Sequence, residues 1–190
     1  MAILTESEVI ARSRTVNRST RMFKSIYDSH ASSEYFDVFL SHSSNEPVDI
    51  IFGIKGLLED AGLKVYLDKV DDPHLSPNSV TPETAEILRA RMRQSNSLLY
   101  IYSRHSTQSR WMPWELGFFD GLKGTVGILP VKQFSNSTFK GEEYLGLYPY
   151  ADLANIANST TKKLWINKSE NEYAGLSGWA KGTEKITRRA

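Results

Sequence analysis

Four short apolar runs lie in the first 131 residues, and the pattern between them decides the fold: YFDVFLS (35–41), LKVYLD (63–68), SLLYIYS (97–103) and VGILPV (126–131). Each is nearly continuous in apolar residues and too short for a buried helix, as a strand covered on both faces reads. After the first, Val48, Ile50, Ile51, Ile54, Leu57, Leu58 and Ala61 recur at intervals of three and four, and Gly62 stands just past them. That is an amphipathic helix with a glycine stop, which Ser44 or Asn45 can cap. Thr81, Pro82 and Glu83 supply the N-cap, N1 proline and first-turn acid of a second helix reaching about Ser95. Pro113 to Leu122 spells a third, shorter one. Strands and helices in alternation imply a parallel sheet with helices on both faces. Right-handed crossovers then bring every strand's C-terminal end to one edge, where ligands of such sheets bind.

At 190 residues the chain has room for one α/β domain and an appendage. Residues 1–33 are polar and basic, with Met22, Phe23, Ile26 and Tyr27 at helical spacing, and end in DSHASSE. They read as a helical extension and linker, ahead of a domain over 34–175 and a tail over 176–190. In the last third, GEEYLGLYPYADL looks rich in loops, Leu164–Ile166 a terminal strand, and a closing helix follows.

A net charge of +1 gives no field that would recruit nucleic acid or an acidic membrane. Arg12, Arg14, Arg18, Arg21 and Lys24 form a local basic run, but no aromatics interleave it to stack bases, so it reads as a solvated helix face. With no cysteine, disulfides, thiolate catalysis and Cys-containing zinc sites are excluded. His30, His42, His74 and His105 contain no i, i+4 pair, so no metal site is expected. No apolar leader or stretch of about 18 apolar residues occurs, which makes the cytoplasm the expected compartment. Both glycine-rich phosphate cradles and the Gly-x-Ser-x-Gly elbow are missing.

The loops at the expected ligand edge carry Ser41-His42-Ser43, then Asp68 with the long loop KVDDPHLSPNSVT, then Ser103 through Glu115. Glu115, in SRWMPWELG, draws attention. With Pro113 at N1 it falls in a first helical turn, where the macrodipole favours an acid and would keep it ionised. That position alone needs no function. Its place at the ligand edge beside Trp111 and Trp114 suggests one, with Trp114 plugging the core and Trp111 free to form an aromatic wall.

FDVFLSHSS, an amphipathic helix, VYLD, a loop of the LSPNSV type, LLYIYS, and then Ser-x-Trp with a glutamate four residues beyond the tryptophan resemble, in that order, a Toll/interleukin-1 receptor (TIR) domain. The likeness spans about residues 35–170, and EYLGLYPY resembles stand-alone bacterial members. The resemblance implies an α/β, flavodoxin-like three-layer fold with a central five-stranded parallel sheet, here with a short N-terminal helical extension. It also implies cleavage of NAD at the nicotinamide–ribose bond, giving nicotinamide and ADP-ribose or a cyclic isomer, in bacterial antiphage signalling. NAD is then the substrate and no cofactor is required. The essential carboxylate maps onto Glu115. Ser41 and His42 line the nicotinamide side, Asp68 joins the substrate-binding set, Leu75 through Val80 form a mobile loop over the substrate, and Trp111 offers a stacking face. Asn78 stands where many members have glycine, and Val80 where active relatives can carry an aromatic. The implied partners are further TIR domains and an effector that reads the product.

One carboxylate suits this chemistry, because nicotinamide departs neutral from a cationic substrate and needs no general acid. The alternative is a non-enzymatic adaptor working through TIR–TIR contacts. A phosphorylated receiver of similar fold would want an acidic cluster after the first strand, and Ser41-His42-Ser43 supplies none.

Overall fold

The computed structural model describes residues 3–15, 35–72, 81–133 and 144–189. The apolar runs form strands β2 (Phe36–Ser41), β3 (Val65–Tyr66), β4 (Ser95–Tyr102) and β5 (Val126–Lys132), preceded by β1 (Leu4–Thr5). Helices α1 (Glu6–Thr15), α2 (Val48–Asp60), α3 (Asp68–Asp71), α4 (Pro82–Arg93) and α5 (Trp111–Lys123) lie before and between them. The chain continues with β6 (Tyr150–Asn155), β7 (Lys162–Ser169), β8 (Glu172–Gly175), α6 (Leu176–Ala180) and β9 (Thr187–Arg188).

The sheet runs β3-β2-β4-β5-β6-β7-β8-β9, with β1 paired to the far end of β5. Strands β3, β2, β4, β5 and β6 are mutually parallel, which is the expected five-stranded flavodoxin-like order. The fifth parallel strand is β6, in the stretch expected to be loop. The expected terminal strand at Leu164–Ile166 lies inside β7, which turns antiparallel against β6, and β8 and β9 extend the sheet further in that sense.

Strand alternation divides the core. Val38, Leu40, Leu99 and Ile101 face α1 and α2 and meet Ile50, Ile51, Ile54 and Leu58 of α2, all fully buried. Each such aliphatic contributes about 2 kcal/mol by burial. Phe39, Leu98, Tyr100 and Ile128 face the other way, onto Leu88 and Met92 of α4 and Met112, Leu116 and Phe119 of α5. The stops act as read: Gly62 and Gly124 take φ of 76° and 66°, which glycine alone adopts cheaply. Thr81 caps α4 by accepting from Thr84 N–H at 3.2 Å. By contrast α2 starts behind Pro47 with no side-chain cap, so neither Ser44 nor Asn45 serves there.

Residues 3–15 are docked. Leu4 and Val9 are buried, and α1 crosses α2 at Gly53, where a Cβ would collide with the Val9 carbonyl. Arg12, expected on a solvated face, makes a two-pronged pair with Asp60 (Nε–Oδ2 2.5 Å, Nη2–Oδ1 2.7 Å). Arg18, Arg21, Met22, Phe23, Lys24, Ile26 and Tyr27 lie outside the described residues. Among the described residues, no helix is long and apolar enough to cross a membrane.

Candidate functional site

Ser41 ends β2, His42 opens the loop after it, Asp68 starts α3 past β3, and Glu115 lies on α5. The parallel sheet brings all four to its C-terminal edge. Ser41 Oγ donates to Glu115 Oε2 at 2.6 Å, and both residues are buried, Ser41 at 1% and Glu115 at 7% exposure. This length is that of a charge-assisted O–H···O⁻ bond.

Helix α5 begins two residues earlier than the sequence suggested. Its first residue is Trp111, so Pro113 sits third and Glu115 fifth, beyond the first turn. The macrodipole fades over that distance, and Glu115 cannot owe its charge state to it. Burial dominates instead and pushes the carboxyl up to about 7, partly opposed by the Ser41 hydrogen bond; Asp68 raises it and His42 lowers it. The expectation of an acid kept ionised by the helix terminus is therefore corrected: burial favours the protonated form of Glu115 in the free site.

His42 turns its ring away from solvent, with a side chain 4% exposed. Nδ1 lies 2.9 Å from the Ser43 carbonyl, which only accepts, so that nitrogen carries hydrogen. Nε2 lies 2.7 Å from Asp68 Oδ1. Burial is the largest influence on each and works against both charges, but the bond and charge of Asp68 together with the Ser43 carbonyl raise the imidazole, and the bond and charge of His42 together with Lys69 hold Asp68 below its usual range. The pair is thus imidazolium and carboxylate, a fixed dipole behind Glu115. The Asp68 side chain remains 35% exposed, and its described hydrogen bonds, from His42 and the Lys69 N–H, both fall on Oδ1.

Trp111 stands one helical turn before Glu115, half-buried, edge-on to Trp114 with centroids 5.2 Å apart. Trp114 stacks on Phe118 and lies under the Arg89 guanidinium. Leu75 and Val80 lie outside the described residues. Among the described residues no cluster of three His, Asp or Glu side chains has metal-binding geometry.

One feature at this edge went unread in the sequence. Glu46, in the loop after β2, is 3% exposed and accepts from Ser103 Oγ at 2.5 Å. Its only sequence signal was an acid inside the polar cluster SHSSNEP, where a solvated loop charge is the ordinary reading.

Comparison with known proteins decides the family. The chain is 37% identical over 190 residues, 94% of its length and 98% of the relative's, to the "Probable 3' cyclic ADP-D-ribose synthase ThsB'" of Bacillus cereus strain MSX-D12. It belongs to this family of bacterial TIR-domain proteins. A second relative, the "Putative cyclic ADP-D-ribose synthase TIR2" of Cytobacillus dafuensis, is 26% identical over 92 residues, 48% of this chain and 24% of that protein. Among solved structures, the TIR domain of the Toll-related receptor TRR-2 from Hydra magnipapillata is 18% identical with a TM-score of 0.45, covering 62% of this chain and 83% of that one. No family model matches.

Proposed function

We propose that this TIR domain cleaves NAD between nicotinamide and ribose and closes the remaining nucleotide into a cyclic ADP-ribose. The observation that carries the reading is the buried Glu115, held by Ser41 where the parallel strands end. The names of the two bacterial relatives support a cyclic product, and the more similar relative's name points to the 3′ isomer.

The chemistry follows from the charges. Ser41 fixes one oxygen of Glu115 and leaves the other for the ribose hydroxyls. The pyridinium of bound NAD is a cation and favours the ionised acid, so substrate binding shifts Glu115 toward the carboxylate against the effect of burial. As the C1′–N bond breaks, its electron pair goes to nicotinamide, and the Glu115 carboxylate stabilises the positive charge that grows on the ribose. A hydroxyl of the same nucleotide then bonds to C1′ and gives its proton to Glu115. His42 has both ring nitrogens committed, so its part is to hold positive charge behind the carboxylate, while Asp68 Oδ2 and the Trp111 ring face the substrate. The product is a signal in antiphage defence, read by a separate effector, and self-association through TIR–TIR contacts accompanies activity.

Purified protein incubated with NAD should release nicotinamide and a cyclic ADP-ribose identified by mass and retention. Glu115→Gln should fold yet lose at least about 100-fold in rate. Unchanged turnover in that variant would remove Glu115 from the mechanism, and linear ADP-ribose alone from the wild type would remove the cyclase assignment.

A further inference from the structure

Glu46 is a buried acid for which the fold has only half a use. Its N–H bonds to the Ser43 carbonyl at 3.0 Å and Oε2 takes the Ser103 hydroxyl, but Oε1 is buried with no hydrogen-bond partner among the described residues. Burial raises the carboxyl above its usual range, against the Ser103 bond and the nearby His105 and His42. A buried acceptor without a donor destabilises the folded state, so its presence calls for a reason other than stability.

The reason lies in what Ser103 leads to. Its main-chain N–H donates to Ser106 Oγ at 3.1 Å, and Ser106 Oγ donates back to the Ser103 carbonyl at 2.8 Å. Ser109 N–H reaches the Ser106 carbonyl at 3.1 Å, and Ser109 Oγ takes the Met112 N–H in the first turn of α5 at 3.3 Å. One turn of helix further stands Glu115. Serines at every third position thus carry a hydrogen-bonded chain from Glu46 to the start of the helix bearing Glu115. Glu46 itself belongs to the loop that follows Ser41. It joins the two segments whose relative placement sets the 2.6 Å Ser41–Glu115 bond.

We propose that Glu46 is a positioning residue, the clamp that fixes the loop after Ser41 against the serine-rich loop leading to Glu115, retained at some expense to stability. In its kinetic arm this rests on the NAD-cleaving reading above. It touches no substrate and acts through Ser103, so misplacement of Glu115 is the effect expected of its loss.

Glu46→Ala, Glu46→Gln, Ser103→Ala and the Glu46→Ala/Ser103→Ala double variant test it. For nicotinamide release from NAD, Glu46→Ala should lower kcat by about 10-fold or more with KM within about 2-fold. Glu46→Gln keeps an acceptor oxygen for Ser103 and should recover most of that loss. Ser103→Ala should match Glu46→Ala, and the double variant should be no worse than either. Amide hydrogen exchange over residues 103–115 should quicken in Glu46→Ala while its Tm holds or rises. Wild-type kcat in Glu46→Ala, a glutamine variant as impaired as the alanine, additive losses in the double variant, or a fall in Tm with unchanged exchange over 103–115 would each overturn the clamp. If the wild type proves inert on NAD, the cleavage reading fails alone, and the exchange and Tm measurements still decide the role of Glu46.

Discussion

At the scale of single residues, the acid–base state of Glu115 connects stability to rate. Its folded value of about 7 lies above the ordinary 4.5, so between those values the folded chain binds more protons than the unfolded one. Stability from this group is complete below about pH 4.5 and is lost as pH rises toward 7, a change on the order of 3 kcal/mol. His42, also raised, acts in the same sense: its contribution is present below 6.5 and lost above it. Asp68, depressed, contributes above 3.8 and loses that contribution only in stronger acid. Thermal melts should therefore show a Tm that falls from pH 5 to pH 8, and Glu115→Gln should flatten most of the fall up to 7. Rate should run the other way if, as proposed, Glu115 acts in its ionised form. The kcat/KM for NAD should rise with an inflection near 7, and that of kcat should lie lower, because the bound pyridinium favours the anion. A Tm that climbs over this range in the wild type, or a slope unchanged in Glu115→Gln, would show that the carboxyl is not held protonated by burial.

Whole elements show where the sequence was legible and where it was not. The runs at 35–41, 97–103 and 126–131 became strands within two residues of their expected ends, because nearly continuous apolar stretches this short leave little choice. β6 was missed because Asp152 and Asn155 dilute its pattern, and its place is set by β5 and β7 rather than by its own propensity. The start of α5 was misplaced for a different reason. Proline is tolerated throughout a first turn, where its missing N–H has no intrahelical acceptor anyway, so Pro113 could not mark the exact position; the Ser109 hydroxyl on Met112 N–H does. Of the candidate site, Ser41, Asp68 and Glu115 were readable from the topology, because each lies at or just beyond a strand end or on the helix that follows. The inward turn of His42 and the Glu46–Ser103 bond were not, being contacts between loops 26 and 57 residues apart in sequence. On the outer face of α5 the two tryptophans should separate by function. Trp114, held by Trp111, Phe118 and Arg89, should cost about 2 kcal/mol as Trp114→Ala, seen as a Tm lower by several degrees. Trp111→Ala should instead raise KM for NAD with a smaller change in Tm. The reverse assignment of effects would place the stacking face at Trp114.

Across the whole molecule, the N-terminal segment is tied into the domain at points far apart in the chain. β1 lies beside Val131 and Lys132 of β5, Glu8 meets Lys162 at 3.0 Å, Ser13 donates to Asp49 at 3.1 Å, and Glu6 reaches Arg104 in the loop after β4. The last contact adjoins Ser103, so α1 bears on the same loop that Glu46 clamps. Gly53 is the point on which this docking turns, since the α2 backbone there passes directly under Val9. An alanine in a helix ordinarily stabilises relative to glycine by roughly 0.5–1 kcal/mol. At Gly53 the new methyl would meet a main-chain carbonyl that cannot rotate aside, and overpacking of this kind costs about 1–3 kcal/mol. The sign of the change is therefore diagnostic. Gly53→Ala should lower Tm, expose Arg12 and Arg14 to trypsin, and slow nicotinamide release through the loosened Arg104 loop. A Gly53→Ala protein as stable as the wild type or more so, with an unchanged tryptic pattern, would mean that α1 does not rest on α2 in solution, and that the segment before residue 16 is independent of the site.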